Sequence, residues 1–216
     1  NMQSRGHYAR WAGISFLALF IFGFYGMGYV PNTLFDYSNA EHSYQQISAQ
    51  GLLHRQGIIA TVFMNIASLF LALFSYLWLG QFSKSLALST AILLSCGAFI
   101  SLGNELNSYA LSYWSQQSFS PQVAGQISFY LNQYRFGVYL ATVFWGLWLI
   151  PPGVALILKR GLARIIGLLL VLSALGYLID SLAYLAQDKL LLVADYTFLG
   201  EVSFTLYMLF QKKARY

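Results

Sequence analysis

Long apolar segments alternate with short polar ones along the chain, and this alternation predicts the elements. The apolar segments cover about residues 11–30, 57–80, 86–113, 129–157, 163–186 and 194–211. Because an α-helix rises about 1.5 Å per residue, about 20 residues cross the roughly 30 Å hydrocarbon layer of a membrane. A helix also pairs its own backbone groups, as lipid requires. The pattern therefore predicts an all-α integral membrane bundle of six transmembrane helices.

The stretches between and inside these segments refine the expectation. Residues 32–56 are polar with aromatic interruptions and too long for a tight turn, so we expect part of them to form an interfacial helix. Pro151 and Pro152 lie near one end of the fourth predicted helix, where a kink costs least. No small-residue cleavage pattern follows the first segment, which predicts a retained helix and not a signal peptide. Without an internal repeat, a single domain over residues 1–216 is expected.

Composition supports a membrane solvent. Apolar residues make up 58% of the chain and charged residues only 9%, whereas soluble domains carry about 25% charged residues. Aromatic residues make up 18%, with Trp and Tyr near several segment ends, as is typical of chains anchored at membrane interfaces. The single cysteine, Cys96, excludes a disulfide framework and a CxxC site.

Charge placement predicts the orientation. In a six-helix arrangement the acidic residues fall on one side or in the adjoining half of the membrane, and nine basic residues fall on the other. Basic loops face the cytoplasm, so both termini are predicted to be cytoplasmic. The net charge of +5 then reflects anchors near anionic headgroups, and nucleic acid is not an expected partner. The nine basic residues are Arg5, Arg10, Lys84, Lys159, Arg160, Arg164, Lys212, Lys213 and Arg215.

Four charged residues interrupt the apolar segments, namely Glu105, Arg135, Asp180 and Glu201. An intramembrane charge costs at least about 2.5 kcal/mol, so such residues are candidates for function. Counting helical rises from the basic ends places all four in the outer half of the membrane. Three acids and one base leave negative charge uncompensated, which predicts a bound proton, cation or amine.

Polar residues also share one face in five of the six predicted helices, at helical spacing. Faces that cannot contact lipid must face one another, which predicts a polar, carboxylate-rich pocket that narrows toward Glu201. The second predicted helix contributes a face with His54, Thr61, Asn65 and Ser68. The candidate ligand-binding residues are Glu201, Asp180, Arg135, Glu105, Tyr177, Asn104, Asn65, Tyr139 and Arg55.

Structural roles compete with this interpretation. Interhelical hydrogen bonds in membranes contribute about 0.6 kcal/mol on average, and Arg135 could bridge Glu105 or Asp180 purely as part of the packing. His54, beside Arg55 at a helix entrance, is expected to contact headgroups. No paired helical histidines, GxSxG motif or soft-ligand cluster is present, so haem, a catalytic serine and a metal are not expected.

Several motifs resemble one family of bacterial membrane proteins. Residues 164–181 (RIIGLLLVLSALGYLIDS) and 200–203 (GEVS) carry the most specific match. Arg55 and Gly57, and residues 144–146 (FWG), add to it. In these stretches the chain is similar to the domain of unknown function 4386. The resemblance implies six helices in a bacterial inner membrane and names no activity.

Three function classes remain open. The favoured one is a protein that binds or transports a small polar or cationic molecule, or a lipid. The second is a membrane-embedded enzyme acting on a lipid or quinone-like substrate, with Glu201 and Asp180 as acid and base. The third is an accessory subunit of a larger membrane complex. Besides the lipid bilayer, the expected partners are a second copy of the chain in a homo-oligomer or a partner in a membrane complex. Whether the chain is an enzyme, and with which cofactor, is left open by the motifs.

Overall fold

A computed structural model describes residues 3–210, with side chains described from Gly6 onward. Helices are the only regular secondary structure in this range, which confirms the all-α class. A π-helical stretch, Phe24–Tyr29, joins the first two helices. The helices are α1 Gln3–Gly23, α2 Val30–Leu34, α3 Ala40–Ala49, α4 Gly51–Leu79, α5 Lys84–Trp114, α6 Pro121–Leu147, α7 Ile150–Ile157, α8 Leu162–Gln187, α9 Ala194–Thr197 and α10 Leu199–Leu209.

Within residues 3–210, five helical stretches are long and apolar enough to cross a membrane. The chain is therefore an all-helical, multi-pass membrane protein. The sixth predicted segment is divided into α9 and the 11-residue α10, so the count of six crossings stays a prediction. The five stretches are Gly6–Leu34, Gly51–Leu79, Lys84–Trp114, Pro121–Ile157 and Leu162–Gln187.

Local chemistry explains where the helix boundaries differ from the apolar segments. The fourth predicted helix begins eight residues early, at Pro121, because Ser120 caps a polar first turn by accepting the Val123 N–H at 3.2 Å. It is interrupted after Leu147, and Pro151 lies in the first turn of α7, where a missing N–H costs least. The predicted interfacial helix corresponds to α3, capped by the Asn39 side chain.

The chain divides into two compact units, and each is described by itself. Unit 1 comprises residues 1–18, 67–98 and 139–216; unit 2 comprises residues 19–66 and 99–138. The predicted single domain stays a prediction.

In unit 1, α8 packs against α7, α9 and α10. Small residues permit these approaches: a Cβ on Gly167 would lie 2.6 Å from the Gly153 carbonyl oxygen, and one on Gly200 would overlap the Leu169 backbone. Aromatic rings fill the interior, with centroids of Phe16 and Trp148 5.4 Å apart. Packing of α8 thus brings its polar face onto α10.

In unit 2, an apolar core surrounds the end of α5 near Trp114. Two hydrogen bonds fasten α3 to the connection that follows α5: Tyr44 donates to the Gln117 carbonyl at 2.7 Å, and Ser48 to the Ser115 carbonyl at 2.6 Å. The core residues are Val30, Leu34, Ile47, Leu111, Val123, Ile127 and Leu131.

Candidate functional site

The predicted ligand-binding residues fall into both units. Tyr139, Tyr177, Asp180 and Glu201 belong to unit 1. The remaining five belong to unit 2, and each set has its own contacts. The residues in unit 2 are Arg55, Asn65, Asn104, Glu105 and Arg135.

In unit 1, Glu201 of α10 is paired with Tyr177 of α8. The tyrosine hydroxyl donates to Glu201 Oε2 at 2.6 Å, and only 6% of Glu201 is exposed. The Ser173 hydroxyl of α8 also donates to the Thr197 carbonyl at the end of α9, just before α10 begins. Sequence spacing had placed Tyr177 and Glu201 on polar faces of neighbouring helices, and the structure brings them into contact.

Asp180, also in unit 1, holds the connection between α8 and α9. Its two carboxylate oxygens accept the backbone N–H groups of Val193 and Ala194, each at 2.8 Å. This connection contains two residues with positive φ, Asp188 at 53° and Leu192 at 59°, a conformation that costs energy in residues with a side chain. The Asp180 hydrogen bonds therefore stabilise a strained turn. Tyr139, the fourth predicted residue of unit 1, stacks on Tyr184 with centroids 4.2 Å apart.

Unit 2 contains a row of buried polar residues between α4 and α5, which we call the polar seam. Its contacts pair the start of α4 with the end of α5 and the middle of each helix with the other, so the two helices run antiparallel. The Asn65 amide, for example, donates to the Ser101 hydroxyl at 2.9 Å. The seam comprises His54, Thr61 and Asn65 on α4 and Ser101, Glu105, Ser108 and Ser112 on α5.

The prediction that His54 contacts lipid headgroups is wrong. This side chain is 1% exposed, and both ring nitrogens lie within hydrogen-bonding distance of hydroxyls on α5. Nδ1 is 2.7 Å from Ser112 Oγ, and Nε2 is 3.1 Å from Ser108 Oγ. The available signal was the spacing of the two serines, four residues apart on the same face as Ser101. With antiparallel α4 and α5, that face reaches the first turn of α4.

Glu105 lies inside the seam and is 8% exposed. On α5 it lies between Ser101, which contacts Asn65 of α4, and Ser108, which contacts His54 of α4. Glu105 therefore lies opposite the part of α4 between these two residues, where the polar side chain is Thr61. That threonine donates to the Gly57 carbonyl of its own helix at 3.0 Å. Among residues 3–210, no side chain or backbone group gives the Glu105 carboxyl a hydrogen bond or ion pair.

Asn65 is the second group of the seam with unmet bonding capacity. Its Nδ2 donates to the Thr61 carbonyl and to the Ser101 hydroxyl, both at 2.9 Å. Since a carbonyl only accepts, this fixes the amide orientation and leaves Oδ1 as the free acceptor. Within the described residues that buried oxygen has no hydrogen-bond partner. The described seam thus holds two acceptors without donors, the buried Asn65 amide oxygen and the carboxyl of the largely buried Glu105.

The remaining candidates of unit 2 have other contacts. Asn104 donates to the Tyr134 carbonyl at 2.8 Å and joins α5 to α6. The Arg135 guanidinium lies 3.9 Å from the centre of the Tyr37 ring. Of the two bridges considered for Arg135, to Glu105 or to Asp180, the one to Glu105 is not formed among the described residues, where the guanidinium lies over the Tyr37 ring of the 35–39 connection. Arg55 is exposed.

In the described part of the chain no three metal-binding side chains come together. No curated protein matches the chain, and no solved structure does. A family model matches residues 11–211, which confirms the resemblance seen in the motifs. The chain belongs to the family described as Domain of unknown function (DUF4386).

Proposed function

We propose that this protein is a six-span protein of the bacterial inner membrane that binds a small cationic molecule in the polar seam of unit 2. Glu105 supplies the charge that compensates the ligand, and Asn65 supplies a second acceptor. Two acceptors of the described part of the seam carry the proposal: Asn65 Oδ1, which is buried without a donor, and the carboxyl of Glu105, a residue 8% exposed that receives no hydrogen bond or ion pair there.

The physical reason is the free-energy cost of leaving these acceptors without hydrogen-bond donors. A buried polar group without a hydrogen bond loses about 1–3 kcal/mol, and a buried unpaired charge loses more. Native proteins contain few such groups, and each calls for an explanation. A primary ammonium group offers three N–H donors and one positive charge, which matches a carboxylate and an amide oxygen on neighbouring helices. A small organic amine is therefore the ligand class that fits best.

The buried acids of unit 1 differ from Glu105, and this difference favours a ligand site in unit 2. Glu201 already accepts from Tyr177, and Asp180 from two backbone N–H groups. These carboxyls have donors before any ligand arrives. A pocket that also draws on Glu201 and Asp180 remains a prediction from the sequence.

Orientation is part of the proposal. The nine basic residues argue for cytoplasmic termini. We infer that residues 194–209 form the sixth crossing, although α10 alone, with 11 residues, spans only about 16 Å. A short crossing is accommodated by local thinning of the bilayer or by packing against longer neighbours such as α8.

Ligand-dependent thermal stability in detergent tests the binding proposal. Methylammonium chloride is the probe, and tetramethylammonium chloride and NaCl at equal ionic strength are controls for charge without N–H donors. A ligand at 100 times its Kd stabilises a fold by about 2.7 kcal/mol. We expect methylammonium to raise the Tm of the wild type saturably, and to leave that of Glu105→Gln unchanged.

Two further variants sharpen the comparison. Glu41→Gln removes an exposed acid of the same unit and should respond as the wild type does. Glu201→Gln tests the rival site in unit 1. Equal methylammonium responses in the wild type and Glu105→Gln would refute the proposal, and a response lost only in Glu201→Gln would move the site to unit 1.

A further inference from the structure

We propose that Ser112, His54 and Ser108 form a proton relay that delivers protons to Glu105 from the Trp114 end of α5. The inference rests on the proposed role of Glu105 as the ligand-binding carboxylate and adds how that carboxylate exchanges its cation. A proton that arrives at Glu105 replaces the positive charge of the departing amine, so the seam stays neutral during exchange.

The central group of the relay is the buried His54 ring, which bridges two hydroxyls. In a neutral imidazole one nitrogen donates and the other accepts. Ser112 Oγ lies 2.7 Å from Nδ1 and Ser108 Oγ 3.1 Å from Nε2, so each nitrogen faces a group that both donates and accepts. An imidazole held in this way passes a proton by taking one at one nitrogen while releasing one at the other.

The two ends of the relay lie in different environments. Ser112 is in the last turn of α5, and the connection beyond it carries exposed residues, including Gln116 and Ser118. Ser108 and Glu105 are three residues apart on one face of α5, a spacing that makes their side chains neighbours. From Ser112 to Glu105 the path covers about 10 Å along the helix axis. The relay thus connects the last turn of α5, which is followed by exposed residues of the 115–120 connection, with a carboxyl inside the bundle.

The transfer balances without any oxidant or reductant. The Ser112 hydroxyl proton moves to His54 Nδ1 as the Nε2 proton moves to Ser108 Oγ, and the Ser108 hydroxyl proton moves to the Glu105 carboxylate. Ser112 regains its proton from a hydronium ion in the solvent beyond the helix end, which is left as water. One proton has then moved inward, and the imidazole has changed tautomer. Rotation of the Glu105 side chain or one water closes the last gap.

The other titratable or charged groups near the seam do not replace this route. Tyr134 of α6 lies near enough to Glu105 for the two side chains to interact electrostatically, and Arg135 of the same helix lies over the Tyr37 ring. The 35–39 connection also reaches the seam, since the Phe35 ring packs edge-on to that of His54. In this connection, hydrogen bonds from Ser38 lower the pKa of Asp36 below its usual value, which favours the ionised form of that carboxyl.

Hydrogen–deuterium exchange followed by infrared spectroscopy tests the relay without a ligand. At mildly acidic pH, the carboxylic C=O band of protonated Glu105 is identified as the band that Glu105→Gln removes, and its shift after transfer to D₂O is timed. His54→Gln keeps one donor and one acceptor for the serines but cannot change tautomer. We expect His54→Gln and Ser108→Ala to slow the shift about tenfold or more, or about 1.4 kcal/mol in the barrier.

Thr90→Val is the matched control, because it removes another buried hydroxyl of α5 outside the seam, and it should exchange at the wild-type rate. If His54→Gln shows the wild-type rate of deuterium exchange, the relay is overturned. It is also overturned if the spectrum of Glu105→Gln retains every carboxylic C=O band of the wild type at all pH values. Neither result depends on methylammonium binding. Conversely, slow exchange in His54→Gln with no methylammonium response would retain the relay and reject the amine site.

Discussion

At the scale of single residues, the buried acids of this protein differ in the groups that donate hydrogen bonds to them. Asp180 has two backbone N–H donors, Glu201 has one tyrosine hydroxyl, and Glu105 has no donor among residues 3–210. Residue type and helical phase placed all three on polar faces but did not distinguish them. The distinction comes from the opposite helix, which supplies Tyr177 to Glu201, and from the turn after α8, which supplies its backbone to Asp180.

Glu201 can be tested as a structural acceptor by paired substitution. Glu201→Gln keeps an oxygen for the Tyr177 hydroxyl and should lower the free energy of unfolding by about 1 kcal/mol or less. Glu201→Ala leaves that hydroxyl unmet and opens a cavity, so a loss of about 2–4 kcal/mol is expected. Equilibrium unfolding in mixed micelles provides the values. Equal losses for Gln and Ala would show that the hydrogen bond to Tyr177 contributes little.

Asp180 should behave as an anchor of the following turn. Asp180→Asn retains one acceptor oxygen and turns an N–H donor toward a backbone N–H, so about 1.5–3 kcal/mol of unfolding free energy should be lost. Amide exchange measured by mass spectrometry should accelerate around Val193 and Ala194. Asp195→Asn, at an exposed position nearby, is the control. Unchanged amide exchange in Asp180→Asn would contradict the anchoring role.

At the scale of elements, the seam shows where sequence reasoning stops. Periodicity predicts that Asn65 lies on a polar face of α4 and Glu105 on a polar face of α5. It did not give the register between the helices, which depends on how their side chains interdigitate. The place of His54 at a helix entrance therefore predicts a headgroup contact, whereas the actual register pairs this side chain with Ser108 and Ser112.

Close packing of the π-helical stretch 24–29 against α4 gives an element-level prediction. A Cβ on Gly26 would lie 2.6 Å from Thr61 Oγ and 2.7 Å from its backbone nitrogen, so Gly26→Ala must push the segments apart, at a cost of about 1–3 kcal/mol. At Gly28 a Cβ meets nothing within 4 Å, and Gly28→Ala should be neutral or stabilising. Thermal unfolding of both variants checks this, and equal Tm values for the two would contradict it.

At the scale of the whole molecule, the all-helical multi-pass architecture was predictable because lipid imposes length and apolarity on each crossing. Interruptions were less predictable. Pro151 signalled the break before α7, whereas the separation of α9 from α10 at Phe198 has no helix-breaking residue to announce it. The division into two units was not predictable from composition or from linkers. The boundary between the units falls inside continuous helices such as α4, where the sequence shows no change.

Topology is the prediction that belongs to this scale. With six crossings and basic loops in the cytoplasm, a periplasm-active reporter fused after Tyr216 should be inactive, and the same reporter inserted in the 115–120 connection should be active. A cytoplasm-active reporter should give the opposite pattern at both sites. Periplasmic activity after Tyr216 would indicate an odd number of crossings and contradict the sixth crossing by residues 194–209.

The central claim is that Glu105 holds a small cation in the polar seam, and the most direct measurement is the identification of what the purified protein carries. Wild type and Glu105→Gln are purified in the same mild detergent, denatured, and their released small molecules compared by mass spectrometry. Our account predicts a small organic amine in near-stoichiometric amount in the wild type and its loss from a Glu105→Gln protein that remains folded. The same set of cations in both proteins, or none in the wild type, would contradict it.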